Sequence, residues 1–273
     1  MQKYGLSLKK LLKKSKHKRF SIKSAIQIGI QLCSRLEVLH NYGYLHADLK
    51  PDNVLIASTN RLRVESSQMI LIDFGIAKSW KDTFGRHIPF RERVPFSGNL
   101  LFASKNAFRQ VEQSRRDDLI SLVYLVIFFV QGELGWMKNL KSTDPLFFQK
   151  VAKIKQNLNS KTLCTGPAKG LEAFCDEVFS YEFEDTPNYS KIRHLLACFL
   201  LAHNVQPDNV FDWSKFSAPN TDLQNHIEGQ ENLDEEEVPE VPALTDEQKK
   251  EIEEWNLSYR CSSFGHFVKT HTM

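Results

Sequence analysis

The first regular pattern of apolar and polar positions lies in residues 21–42. Apolar residues recur there near helical spacing, at Ile22, Ile26, Cys33, Leu36 and Leu39. Ser21 is a residue type that caps helix N-termini, and Gly43 is one that follows helix C-termini. The pattern therefore predicts a long amphipathic helix over this segment.

Two short apolar runs follow the helix. Residues 54–56 and 69–72 are rich in apolar and β-branched residues, and the polar segment 57–68 separates them. Such runs predict two strands that pair as a small β-hairpin with a long turn. One polar cluster lies directly before the first strand, at residues 48–53, and another lies directly after the second, at residues 73–75.

The pattern changes again after the hairpin. Residues 79–104 show little periodicity and contain several turn-forming residues, which is typical of a loop. Residues 118–130 are apolar on nearly all sides, as in a helix that passes through the middle of a helical domain. The predicted order of elements is therefore helix, hairpin, loop, buried helix and further helices.

The C-terminal part of the chain differs in composition. Residues 228–254 carry twelve acids against two lysines, and prolines interrupt this stretch. Such a segment buries too little apolar surface to offset the entropy of ordering, so we expect a largely disordered acidic tail over residues 218–273, with a short helix near residues 245–255. The tail is either a solubilising extension or an intramolecular regulator that binds basic residues elsewhere in the chain.

Composition excludes several classes of protein. The 273 residues are 41% apolar and 25% charged, which is typical of an ordinary soluble protein of one or two domains. The five cysteines form no C-x-x-C pair, which argues against a disulfide framework or a zinc site and favours a reducing compartment, cytoplasmic or nuclear. The longest apolar stretch, residues 119–130, is shorter than the roughly 20 residues that cross a bilayer, so we expect no membrane span and no secretion.

Basic residues cluster near the N-terminus. Residues 3–23 contain nine basic residues and no acid. Their densest part, residues 9–19, is either a docking patch for acidic substrates or nucleic acid, or the solvated face of a short surface helix. No aromatic interleaving accompanies these lysines, so specific nucleic-acid recognition is not predicted.

The polar clusters on either side of the predicted hairpin contain the groups that phosphoryl transfer requires. That reaction needs a carboxylate to orient the nucleophilic hydroxyl, a cation to offset phosphoryl charge and oxygen ligands for Mg²⁺. The residues of these types are Asp48, Lys50, Asn53 and Asp73. The pair of motifs H-x-D-x-x-x-x-N and D-F-G, in this order across a hairpin, is a strong joint signal for protein kinases.

Three further segments narrow the resemblance from protein kinases in general to one family among them. Residues 87–92, residues 103–106 (where most kinases have A-P-E) and residues 114–119 closely resemble the casein kinase 1 family of serine/threonine protein kinases. The resemblance extends over roughly residues 1–216. It implies a mainly α fold with a small β-hairpin, namely a protein-kinase-like large C-terminal lobe over residues 1–217, followed by the tail over residues 218–273.

The resemblance also implies the reaction and the site residues. The expected activity is transfer of the ATP γ-phosphoryl group to serine or threonine of a protein substrate, with ATP and Mg²⁺ bound. Asp48 would be the catalytic base, Lys50 would contact phosphate, and Asn53 and Asp73 would hold Mg²⁺, so that the last three also bind the nucleotide. His46 and Asp118 would support the catalytic loop.

The N-terminus of the chain departs from the family pattern. Residues 1–5 align with the hinge, so the glycine-rich loop, the ATP-contacting lysine and its glutamate partner have no counterpart. We therefore expect this chain alone to be inactive or very weakly active. The missing small lobe should also expose apolar area on the hinge side that a partner chain could cover, around Leu45, Ile56, Met69 and Ile72.

Other departures lie within the large lobe. Ala47 and Leu101 stand where the family has arginines, which makes recognition of phosphate-primed substrates doubtful. Asn99 stands where the family has threonine and is expected to hydrogen-bond toward Asp48 or Lys50. Two hypotheses remain open: a casein kinase 1-like enzyme truncated before its small lobe, and an inactive pseudokinase that acts as a binding module or scaffold.

Overall fold

The structure is a computed structural model that describes residues 4–15, 17–57, 68–138 and 144–215. The predictions for the acidic tail and its short helix therefore lie outside the described residues. No helix in the described part is long and apolar enough to cross a membrane.

The described residues form a mainly helical unit with two small antiparallel sheets, as the sequence predicts. Residues 54–56 pair with residues 69–71 to form the predicted hairpin, while the pairing of residues 44–45 with residues 78–79 was not predicted. The helices are α1 (Leu8–Lys14), α2 (Ile22–Asn41), α3 (Lys105–Phe108), α4 (Arg115–Gln131), α5 (Phe147–Gln156), α6 (Ser160–Leu163), α7 (Glu172–Phe179) and α8 (Tyr189–Ala202). The strands are β1 (Tyr44–Leu45), β2 (Val54–Ile56), β3 (Met69–Leu71) and β4 (Lys78–Ser79).

Helix α2 is the predicted first helix, and it is more central than its sequence pattern indicates. The Ser21 hydroxyl caps it by accepting from the Ser24 amide at 3.2 Å, and the chain turns at Gly43 with φ 91°. Every residue from 24 to 34 is buried, so the predicted amphipathic pattern is wrong for this half of the helix. Its polar residues are buried because they bind other segments; Gln31, for example, accepts from the Met69 amide at 2.9 Å.

Helices α4 and α8 pack against α2 and complete the centre of the lobe. The predicted buried helix, residues 118–130, is confirmed as part of α4, and most of its side chains are excluded from solvent. At Gly29 the helices approach closely, since a Cβ built there would lie 2.7 Å from Cγ2 of Val126. This packing fixes the position of α4 and therefore of Asp118 in its first turn.

The segment after α8 returns to the start of α2. The Asp212 carboxylate accepts from the Ser21 amide at 2.8 Å, from the Ser21 hydroxyl at 2.6 Å and from the Ser24 hydroxyl at 2.8 Å. The Gln27 side-chain oxygen accepts from the amides of Asp208 at 2.9 Å and Asn209 at 2.6 Å. These bonds satisfy polar groups in the first turns of a buried helix.

The expected exposed patch on the hinge side is wrong for three of its four residues. Leu45, Ile56 and Met69 are buried in this lobe, and only Ile72 is partly exposed. The physical reason is the twofold alternation of strand side chains, which turns the side chains of Ile56 and Met69 toward the hydrophobic core. The apolar residues that are exposed nearby belong to the loop after β3: Phe74 is 46% and Ile76 is 42% exposed.

Candidate active site

The loop between β1 and β2 is anchored on the buried carboxylate of Asp118. One carboxylate oxygen accepts from the His46 amide at 2.7 Å and contacts Nε2 of His40 at 2.9 Å, while the other accepts from the Ala47 amide at 2.9 Å. Burial alone would raise the pKa of Asp118, but its interactions with His40 and His46 hold that pKa below its ordinary value. The carboxylate is therefore ionised and accepts hydrogen bonds from two backbone amides of the loop.

The ring of His46 joins this loop to the strand that precedes Asp73. Nε2 lies 3.1 Å from the Ile72 carbonyl oxygen, and Nδ1 lies 3.3 Å from the Asp48 amide nitrogen. Because a carbonyl only accepts and an amide N–H only donates, this geometry assigns the proton to Nε2. The predicted supporting role of His46 thus has a concrete form: it orients the backbone of Asp48.

Three of the four residues predicted for phosphoryl transfer are in direct contact. The Lys50 ammonium forms an ion pair with Oδ2 of Asp48. The Asn53 amide group donates to the Asp48 carbonyl at 2.9 Å and to its Oδ2 at 3.1 Å. A 3₁₀ turn over Pro51–Asn53 makes these contacts possible within one short loop.

Asp73 is placed near this group by strand pairing. The Ile72 amide donates to the Asn53 carbonyl at 3.0 Å, so Asp73 follows directly after a residue bonded to the loop. Its backbone has φ 64°, its side chain is exposed, and Oδ1 accepts from the Gly75 amide at 3.4 Å. Among the described residues, its carboxylate makes no contact with Asp48, Lys50 or Asn53.

Comparison with known families agrees with this arrangement. The family described as "Protein kinase domain" matches residues 3–194. The chain belongs to the protein kinase family. Protein kinase domains use ATP and Mg²⁺ and act on protein substrates, so both the cofactors and the general substrate class follow from membership.

The side-chain oxygens of Asn53 and Asp73 are suitable ligands for the Mg²⁺ that a protein kinase domain uses. The amide nitrogen of Asn53 is committed to Asp48, which leaves its side-chain oxygen as a ligand atom. Asp73 offers an exposed carboxylate. Mg²⁺ commonly takes one or two protein oxygens and completes its shell with phosphate and water, so these two side chains would be enough to hold it.

The loop before α3 touches the loop between β1 and β2 at a glycine. Gly98 has φ 118°, and a Cβ there would lie 2.9 Å from the Ala47 carbonyl oxygen. The next residue, Asn99, uses its side-chain oxygen to accept from the amides of Leu101 at 2.8 Å and Phe102 at 3.3 Å. The expected hydrogen bond from Asn99 toward Asp48 or Lys50 is therefore not formed in the described structure, because Asn99 caps its own turn.

Sequence reasoning missed a second charged group in the kinase domain. The buried Glu112 carboxylate accepts from Nζ of Lys78 at 2.8 Å and from Nε and Nη2 of Arg91 at 2.9 and 2.6 Å. Burial would raise the pKa of Glu112, but the bonds from Lys78 and Arg91 bring it below its ordinary value. The three residues join strand β4, the segment before Gly98 and the approach to α4.

We expect Glu112→Gln to lower the free energy of unfolding by about 1.5–3 kcal/mol at neutral pH, since charge-assisted hydrogen bonds are lost. A carboxyl group whose pKa is lowered by folding stabilises the folded state at pH values above its ordinary pKa of 4.5. This stabilisation is lost as the pH falls through the lowered pKa of the folded state. The variant should therefore lose less stability on acidification than the wild type. Urea denaturation at a series of pH values measures this, with the exposed Glu182→Gln as control.

Proposed function

We propose that this chain is the large lobe of a casein kinase 1-like serine/threonine protein kinase. The observation that carries the proposal is the contact of Asp48 with both Lys50 and Asn53 in a loop anchored on Asp118. The structure adds support for the subfamily, because two segments that resemble it are bonded to each other. Asp117 accepts from the Ser104 hydroxyl at 2.5 Å and from the Asn106 amide group at 2.9 Å.

In this proposal the substrate hydroxyl attacks the γ-phosphorus of ATP, the bond from that phosphorus to the oxygen that stays with ADP breaks, and the hydroxyl proton passes to the Asp48 carboxylate. Lys50 offsets the negative charge of the phosphoryl group, and Asn53 and Asp73 would hold Mg²⁺. The metal supplies electrostatic stabilisation of the phosphates when bound. His46 orients the Asp48 backbone, because its Nδ1 accepts a hydrogen bond from the Asp48 amide.

The proposal assigns residues 1–217 to the large lobe and residues 218–273 to the acidic tail. A small lobe, in the same polypeptide or in a partner chain, would complete the nucleotide site. Preorganised groups such as the lysine of a small lobe each contribute about 10²- to 10³-fold to rate, so we expect transfer by the large-lobe residues alone to be slow but measurable.

A pseudokinase that serves as a binding module is the second candidate. It is favoured by the identity of two residues beside the site, Ala47 and Leu101, neither of which supplies the guanidinium that would bind a phosphate group. Ala47 also holds φ 62°, an unusual conformation for a residue with a side chain.

Transfer of labelled γ-phosphate to an acidic serine peptide distinguishes the two candidates. We expect a low, Mg²⁺-dependent rate for the whole chain that falls to background in Asp48→Asn and in Asp73→Ala. Asp176→Ala replaces an exposed carboxylate on α7 and should transfer at the wild-type rate. A folded wild-type chain with no transfer above that of Asp48→Asn would instead support the pseudokinase.

A further inference from the structure

Helix α5 buries a lysine against the loop that precedes α3. Lys155 is 0% exposed, although lysine is among the residues least often buried. Its ammonium donates to the carbonyl oxygens of Leu100 at 3.3 Å, Leu101 at 2.9 Å and Ala103 at 2.7 Å. The three N–H donors of an ammonium thus meet three acceptors on one short segment.

Aromatic rings enclose the same ammonium. Nζ lies 4.8 Å from the ring centroid of Phe108, 4.9 Å from that of Tyr124 and 4.8 Å from that of Trp136. These distances are within the range at which a cation is attracted to a ring face. Trp136 also donates from Nε1 to the Leu101 carbonyl at 2.8 Å, so one of the three rings is itself hydrogen-bonded to the segment that Lys155 binds.

The arrangement suits the charged form of Lys155. Burial lowers the pKa of this lysine well below its ordinary value. Three carbonyl oxygens and three ring faces oppose that effect, because each interacts more favourably with an ammonium than with an amine. A neutral amine would turn its lone pair toward one of the carbonyl oxygens, which is repulsive. No acidic side chain in the described part of the chain forms an ion pair with Lys155, so backbone carbonyls are the charge's main partners.

The segment bound by Lys155 lies between two contacts that reach the site. On its N-terminal side, Gly98 lies against the Ala47 carbonyl, one residue before Asp48. On its C-terminal side, Ser104 is bonded to Asp117, the neighbour of the anchor residue Asp118. Lys155 therefore holds the middle of a segment whose two ends are fixed to the catalytic loop and to α4.

We propose that Lys155 is a positioning residue, whose ammonium holds residues 99–103 as a rigid platform for the protein substrate beside Asp48. The assignment of a substrate platform rests on the proposed kinase function, whereas the anchoring of the segment does not. Loss of the ammonium should free the segment while the loop on Asp118 keeps its structure. The effect should therefore appear as weaker peptide binding rather than slower chemistry.

Hydrogen–deuterium exchange of the whole chain tests the anchoring without any activity. In Lys155→Met, which keeps a long apolar side chain but removes the charge, we expect the amides of residues 99–104 to exchange about tenfold faster or more, with little change in α2 and α4. Lys153→Met on the same helix removes an exposed lysine and should leave the exchange unchanged. Unchanged exchange in Lys155→Met, or an equal rise throughout the chain, would overturn the proposal.

A second variant covers the outcome in which Lys155→Met does not fold. In Lys155→Ala the three carbonyls and three rings remain, so added ethylammonium chloride should restore slow exchange in residues 99–104, while sodium chloride at equal ionic strength should not. Failure of both variants to fold, with or without ethylammonium, would make Lys155 a purely structural residue and refute the proposal.

Peptide kinetics then separate this proposal from the proposed function. In Lys155→Met we expect KM for the acidic serine peptide to rise about tenfold while kcat changes little, because only substrate placement is lost. A fall in kcat at constant KM would contradict a positioning role. If no variant and no wild-type chain transfers phosphate, the kinase function fails, while the exchange result still decides whether Lys155 anchors the segment.

Discussion

Replacement of Asp118 by alanine should lower the free energy of unfolding by about 3–5 kcal/mol, because it removes the acceptor at the centre of a buried polar group. The amides of His46 and Ala47 and Nε2 of His40 would all lose their bonds to this carboxylate. No water reaches this position readily, since Asp118 is 2% exposed. Each buried donor left unsatisfied costs about 1–3 kcal/mol, which agrees with the expected total.

Urea denaturation followed by far-UV circular dichroism measures this loss. The control is Asp176→Ala, an exposed position where the free energy of unfolding should stay within about 0.5 kcal/mol of wild type. A loss below about 1 kcal/mol in Asp118→Ala would mean that the catalytic loop is held by other contacts, which would contradict the anchoring role described above.

Gly98→Ala should lower the free energy of unfolding by about 2–5 kcal/mol, because two separate costs add. A backbone at φ 118° is strained for any residue with a side chain, at about 1–2 kcal/mol. The new Cβ would also lie 2.9 Å from the Ala47 carbonyl oxygen, a backbone atom that cannot move without displacing the catalytic loop. Overpacking of this kind costs about 1–3 kcal/mol.

Gly85 offers a matched control for this prediction. It also has a positive φ, 78°, but a Cβ there would meet nothing within 4 Å. Gly85→Ala should therefore show the strain without a contact, and the difference between the two variants reports the close approach to the Ala47 carbonyl oxygen together with the weaker one to Cβ of Ala103 at 3.3 Å. Amide chemical shifts of residues 46–49 should change in Gly98→Ala and not in Gly85→Ala. Equal stability losses in both variants, with unchanged shifts, would refute the contact.

The sequence predicts contacts between the candidate residues well where these residues are close along the chain. Asp48, Lys50 and Asn53 occupy six positions in one loop, so their contact follows from a single turn. Asp73 could be placed beside them only through the hairpin, and the structure confirms that hairpin. The anchor contacts of Asp118 span about 70 positions, and their prediction came from family resemblance rather than from the residue pattern.

The sequence gives weaker signals for residues whose partners are distant along the chain. Phe147, Val151 and Lys155 recur every fourth residue on α5, and all three are buried. This spacing could have placed the lysine on the inner face, but it gives no indication of the carbonyls that bind it. Glu112 likewise stands among polar residues, and nothing in its neighbourhood predicts its partners Lys78 and Arg91.

Two expectations were wrong for different physical reasons. The pattern of α2 predicted a single apolar face, but segments distant in sequence cover its polar residues as well. The missing small lobe was expected to expose Ile56 and Met69, but the alternation of strand side chains turns both toward the core. Local periodicity records which side chains prefer burial, but it does not record which polar residues will be covered by a partner.

The bonds between Asp212 and the start of α2 join residues 191 and 188 positions apart. Contacts of such sequence separation form late, because a long stretch of chain must be ordered before they compensate for the entropy of closure. On the ribosome the N-terminal turn of the central helix emerges long before its partners have been synthesised. The helix that organises the lobe therefore begins folding with Ser21, Ser24 and Gln27 still hydrated, and its first turn is completed among the last steps of assembly.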